Sequence, residues 1–137
     1  MILADTSAWV EFDRATGSPV DLRLAHLISR SRSLAVTEPV MAEVCAGART
    51  DEREAALRRL LSRCRLLSFD TGADFDAAVG IYRRCRKAGV TPRGLIDCMI
   101  ASVALRTGAS LLASDTDLVR IADVIPLRLD EATPHLA

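Results

Sequence analysis

The chain opens Met1-Ile2-Leu3-Ala4-Asp5-Thr6-Ser7-Ala8-Trp9-Val10-Glu11-Phe12, a short apolar run that stops at an acid and passes into a helical stretch through Trp9 and Phe12. The same order of strand, acid and helix returns at Ser110-Leu111-Leu112-Ala113-Ser114-Asp115-Thr116-Asp117. Between them the pattern alternates. Leu22, Leu24, Leu27 and Ile28 recur at helical spacing, and Leu34 to Thr37 reads as a second strand. Pro39 suits the first position of a helix carrying Val40, Met41, Glu43 and Val44 and stopping near Gly47. A further helix, from about Asp51 to Ser62, opens with acids and closes with bases, as the helix dipole favours. Leu66 to Phe69 is a third short strand. An amphipathic helix follows from about Ala73 to Ala88, with Gly89 at its end. Leu95 to Leu105 is almost wholly apolar, which predicts a buried helix that Gly108 ends just before the strand Ser110 to Ala113. A short helix and a final strand near Leu127 complete an α/β sandwich with a mainly parallel sheet of four or five short strands.

The 137 residues suit one domain, 1–137. Half are hydrophobic but only 4% aromatic, so Leu, Ile, Val and Ala must fill the core. No stretch free of charged residues exceeds eight, far short of the roughly 20 apolar residues that cross a bilayer. The first residues lack the basic region of a signal peptide, and a cytosolic location is expected. Cys45, Cys64, Cys85 and Cys98 are unevenly spaced with no C-x-x-C, and read as reduced packing residues. Only two histidines exist, one of them His135 near the C-terminus, which disfavours chemistry by histidine acid–base pairs. Eighteen basic and eighteen acidic residues cancel overall. From Arg58 to Arg93, however, nine bases face three acids, a surplus of six that can carry phosphate contacts or form solvated helix faces.

In open parallel sheets, ligands bind beyond the carboxyl ends of the strands. Asp5 stands at one such end, and Asp115 with Asp117 at another; each can equally serve as a helix N-cap. Asp97 is the only acid between Gly94 and Leu105 in a helix that reads as buried. It is either a metal ligand or the partner of Arg93, four residues earlier. Glu43 lies at the edge of an apolar stripe, and Glu38, near a helix start, reads as a cap. Four converging carboxylates would repel by roughly 4 kcal/mol per pair at about 4 Å and an effective dielectric near 20. Only a divalent cation makes such a cluster sensible. All-oxygen ligation favours Mg²⁺ or Mn²⁺ and phosphoryl hydrolysis by an activated water, with Thr6 and Ser7 placed to orient water or phosphate.

Leu3-Ala4-Asp5-Thr6-Ser7-Ala8, Glu43, Ile96-Asp97-Cys98-Met99-Ile100-Ala101 and Leu112-Ala113-Ser114-Asp115-Thr116-Asp117, in that order, resemble the motifs of PIN-domain proteins, specifically VapC-type toxins. The resemblance spans the whole chain. It departs at Leu118, where the family often has an aromatic. It implies a three-layer α/β/α sandwich and a divalent-metal endoribonuclease leaving 5′-phosphate and 3′-hydroxyl ends. Its acids would be Asp5, Glu43, Asp97 and Asp115, with Asp117 assisting at the metal. It also implies a cognate antitoxin and a homodimer. Trp9 and Phe12 are either antitoxin contacts or core. Arg83, Arg84, Arg86 and Arg93 are the expected RNA contacts. Two other readings place aspartates at strand ends: a Mg²⁺-dependent receiver or phosphatase-like protein, which normally needs a lysine at the site, and an inactive PIN scaffold that binds a partner. The sole lysine is Lys87.

Overall fold

A computed structural model describes residues 1–30 and 33–134; His135 lies outside them. The strands are β1 (Ile2–Ala4), β2 (Leu34–Val36), β3 (Arg65–Leu66) and β4 (Ser110–Leu112). The helices are α1 (Thr6–Asp13), α2 (Pro19–Arg30), α3 (Glu38–Ala46), α4 (Asp51–Ser62), α5 (Asp74–Lys87), α6 (Leu95–Thr107) and α7 (Thr116–Ala122). All pairings are parallel, in the order β3-β2-β1-β4, with Leu3 opposite both Ala35 and Leu111. The chain winds outward from β1 through β2 to β3, then crosses back to lay β4 on the other side of β1. That reversal opens a crevice beyond the carboxyl ends of β1 and β4, where Asp5 and Asp115 stand.

The predicted elements are present within a few residues, with three differences. The third strand is Arg65–Leu66, shorter and earlier than Leu66 to Phe69. Its continuation is held by a carboxylate instead: Glu38 accepts the Phe69 N–H at 2.7 Å. Glu38 therefore ties a loop and is not a cap; Thr37 holds the N-cap position of α3 without a side-chain bond to the helix backbone. The expected strand near Leu127 is a single parallel bridge, Leu111 to Leu129. There the Thr133 hydroxyl takes over the ladder, donating to the Leu111 carbonyl at 3.1 Å and accepting the Ala113 N–H at 3.2 Å. A side chain thus satisfies the edge that further backbone would otherwise have to pair.

Ile, Leu, Val and Ala fill the core around the fully buried Trp9. The α6 segment Cys98 to Ala104 is almost entirely buried, apart from the half-buried Met99, as its composition requires. Trp9 meets Phe12 edge-on at 6.0 Å, so Trp9 is a core residue and Phe12 packs partly buried against it. Gly89 and Gly108 sit at φ +83° and +74°, the left-handed conformation that ends α5 and α6 without Cβ strain. Between those helices, Asp74 is buried and receives Arg106 at 2.8 Å, while the same guanidinium nitrogen donates to the Ser68 carbonyl at 2.7 Å. All four cysteines are free. No helix among the described residues is long and apolar enough to cross a membrane.

Candidate active site

Each acid reaches the crevice from its own element. Asp5 follows β1 and caps α1: its Oδ2 accepts the Ser7 N–H at 3.0 Å and the Ser7 hydroxyl at 2.7 Å. Ser7 in turn accepts the Ser114 N–H at 2.8 Å, which fastens the loop after β4 to the loop after β1. Asp115 caps α7, its Oδ1 accepting the Asp117 N–H at 2.8 Å. The capping alternative and the site alternative therefore hold together, because a cap uses one carboxylate oxygen and leaves the other. Glu43 comes across from α3 and accepts the Thr6 hydroxyl at 2.7 Å. Asp5, Thr6, Ser7, Glu43, Ser114 and Asp115 line one open cavity of about 350 Å³. Beside it, Asp97, Asp115 and Asp117 each present an oxygen within 4.8 Å of the others. Asp115 belongs to both groups and joins them.

The alternative partner for Asp97 is absent. Arg93 turns instead to the loop after β4, pairing with Asp117 at 3.0 Å and Asp115 at 3.2 Å. No hydrogen bond or ion pair reaches Asp97 among the described residues. Burial, then the charges of Asp5, Asp115, Asp117 and Glu43, push its carboxyl up to about 7. Asp5 rises to about 6, chiefly by burial and against the lowering pull of its Ser7 hydrogen bonds. Asp117 differs: burial works to raise it, but the Arg93 side chain and backbone N–H bring it below the usual carboxylate range.

One oxygen stands out. Asp5 Oδ1 is buried without any hydrogen-bond partner, an expensive condition for a carboxylate oxygen. An oxygen-only donor set, a buried oxygen with nothing to accept and two carboxyls held far above their ordinary range together fit a hard divalent cation.

The sequence left Glu11 unnoticed. It lines the same cavity as Ser7 and Val10; the spacing of three and four residues from Ser7 puts all three on one face of α1, and that signal was available. The expected RNA contacts Arg83, Arg84, Arg86 and Arg93 are all exposed. Arg83, Arg86 and Lys87 line a shallow recess at the end of α5, which Arg84 does not join.

The PIN domain family model matches residues 2–124. The chain belongs to the PIN domain family. Within it, the chain is 43% identical over 129 residues to the VapC ribonuclease Mb1587 of Mycobacterium bovis, covering 93% of this chain and 96% of that protein. Ribonuclease VapC11 of Mycobacterium tuberculosis matches to the same extent. In fold, this PIN domain resembles VapBC2 of Rickettsia felis, solved bound to a DNA fragment from their promoter. The TM-score is 0.74 at 21% identity, over 95% of this chain and 98% of that one. FitAcB of Neisseria gonorrhoeae gives a TM-score of 0.69 at 17% identity, over 96% and 98% of the two chains. The receiver and phosphatase readings lose their support here, since Lys87 lies in the α5 recess and not among the residues lining the acidic cavity.

Proposed function

We propose that this chain, acting as one PIN-like nuclease unit over residues 1–137, is a VapC-type toxin that hydrolyses RNA phosphodiesters with Mg²⁺ or Mn²⁺. The observation that carries the reading is the orphaned Asp5 Oδ1 beside three carboxylates whose oxygens lie within 4.8 Å of one another. The relatives' ribonuclease names supply the substrate class. Asp97, Asp115 and Asp117 would hold the cation with Asp5, and Glu43 would face the water and scissile phosphate. A bound divalent ion would acidify the attacking water and offset charge on the phosphate oxygens.

The chain's own residues prepare that step. Ser7 fixes one oxygen of Asp5, so the other has a set direction. Thr6 donates its hydroxyl to Glu43 and so holds that carboxylate toward the cavity. Arg83, Arg84, Arg86 and Arg93 would take RNA phosphates, positioning the strand and not reading its bases. The VapBC complexes among the structural neighbours support a cognate antitoxin as partner, and a homodimer in the cytoplasm completes the reading.

The test is cleavage of single-stranded RNA by the purified protein with Mg²⁺ or Mn²⁺, with end mapping of the products. EDTA and Asp5→Asn should each abolish cleavage, and the ends should be 5′-phosphate and 3′-hydroxyl. Ends bearing 2′,3′-cyclic phosphate would refute the mechanism. A protein that binds RNA without cutting it would instead favour the inactive scaffold.

A further inference from the structure

Arg93 alone forms ion pairs with the acidic cluster among the described residues. It does so at two levels. Its backbone N–H donates to Asp117 Oδ2 at 3.1 Å, and its Nε donates to the same oxygen at 3.0 Å. A terminal guanidinium nitrogen donates to Asp115 Oδ1 at 3.2 Å. Two of the three clustered carboxylates are thus engaged by one guanidinium, while Asp97, the third, is not. Asp117 is buried, but the Arg93 side chain is 77% exposed, so solvent screens the guanidinium end of both pairs and can take its place there.

We propose that Arg93 is a displaceable counter-ion: it holds Asp115 and Asp117 in the metal-free protein, yields them to a divalent cation, and then offers its guanidinium to a phosphate of bound RNA. The proposal rests on the metal-dependent RNA reading above. Its logic is electrostatic. Without a cation, Asp115 and Asp117 repel each other and Asp97, and a single positive charge between two of them relieves part of that repulsion. A doubly charged ion bound by all three does so better and removes the reason for the guanidinium to stay. The backbone N–H to Asp117 does not depend on the side chain, so the loop and Asp117 keep their places while only the exposed arm moves. The released fork has the geometry for a phosphate, which lysine would meet only as a point charge. Cation and RNA would therefore load cooperatively, each favouring the Arg93 position that suits the other.

Mn²⁺ affinity, read from the free-ion electron paramagnetic resonance signal, tests the first half without RNA. Arg93→Gln should bind Mn²⁺ about two- to fivefold more tightly than the parent, the scale on which one solvent-screened guanidinium competes. Arg93→Lys should fall between them, and the gap should close at high salt. Equal or weaker binding by Arg93→Gln, with the parent still binding Mn²⁺, would overturn the counter-ion role alone. Failure of parent and variant alike to bind Mn²⁺ would remove the proposed function, and this inference with it. Binding of a mixed-sequence single-stranded RNA tests the second half, with Ca²⁺ as a hard oxygen-seeking ion. Arg93→Gln should weaken RNA binding in Ca²⁺ and leave it unchanged in EDTA. The same loss in both conditions, or no loss in either, would overturn the handover to phosphate.

Discussion

Asp97→Asn should make the metal-free protein more stable at neutral pH. Raising a carboxyl from 3.8 to about 7 costs the ionised form about 4 kcal/mol at roughly 1.4 kcal/mol per pH unit. Asp97 is only partly buried, so solvent screening leaves roughly 2 kcal/mol to recover. Asparagine keeps the shape and removes the charge. Because the folded pKa lies above the unfolded one, the native state holds the proton longer. Parent stability from this group is therefore lost as pH rises from about 4 to about 7. The variant should match the parent near pH 4 and exceed it at pH 8. For a chain of this length, about 3–4 °C accompanies each kcal/mol, so the expected gain is about 7 °C in EDTA. Mn²⁺ at a hundred times its Kd should raise the parent by about 2.7 kcal/mol, and the variant far less. The assay is thermal melting across pH 4–8 with EDTA or Mn²⁺. A variant that melts well below the parent in EDTA, or whose difference does not grow with pH, would refute the strained-site argument and return Asp97 to a structural role.

Three further outcomes are expected. Arg106→Met should strand the buried Asp74 carboxylate and lower stability by about 2–3 kcal/mol, less than the ~3–5 of a fully buried pair because Arg106 is 37% exposed. Burial works to raise Asp74, but Arg106 brings it below its ordinary pKa, so that stabilisation is present at neutral pH and lost on acidification. Chemical denaturation at pH 7 and pH 3 should show the gap between parent and variant shrinking at the lower pH. Thr133→Val keeps the volume but leaves the Ala113 N–H without a partner and the Leu111 carbonyl with the Asp130 N–H alone; a loss of about 1–3 kcal/mol is expected by urea denaturation. Replacing Arg83, Arg84 and Arg86 together with Gln should weaken RNA binding and flatten its salt dependence, by roughly 0.7 in slope for each phosphate of a single strand that is no longer neutralised. An unchanged slope would return them to a solvated helix face.

Much of this architecture was legible because the decisive signals are local. An apolar run ending in an acid before a helix marks both Asp5 and Asp115, and a lone acid in an otherwise apolar helix marks Asp97. What escaped was whatever depends on distant partners. Arg93 lies four residues before Asp97, a spacing that suggests a pair on one helix, but α6 begins only at Leu95. Arg93 precedes the helix, and its chain direction carries it to Asp117, 24 residues on. Glu38 looks like a cap from its place in sequence, and only the approach of Phe69, 31 residues away, makes it a loop tie. The terminal strand failed for a related reason. A threonine hydroxyl can replace ladder hydrogen bonds, and no periodicity in the sequence marks that substitution.

The acids of the crevice divide by what the protein does for them. Asp117 is satisfied, with the Arg93 backbone and side chain on one oxygen, and its carboxyl is held low. Asp5 and Asp97 are not: one keeps a buried oxygen with no partner, the other sits unpaired among four acids, and both are pushed up. A fold stabilising itself would give the fully buried Asp5 a cation of its own, as it gives Asp74 the Arg106 guanidinium. Among the described residues, the one guanidinium in ion contact with the crevice serves Asp115 and Asp117 and leaves Asp5 and Asp97 without a cation. An arrangement that tolerates this cost is short of positive charge where Asp5, Asp97, Asp115 and Asp117 gather, the place where we propose that a divalent cation binds.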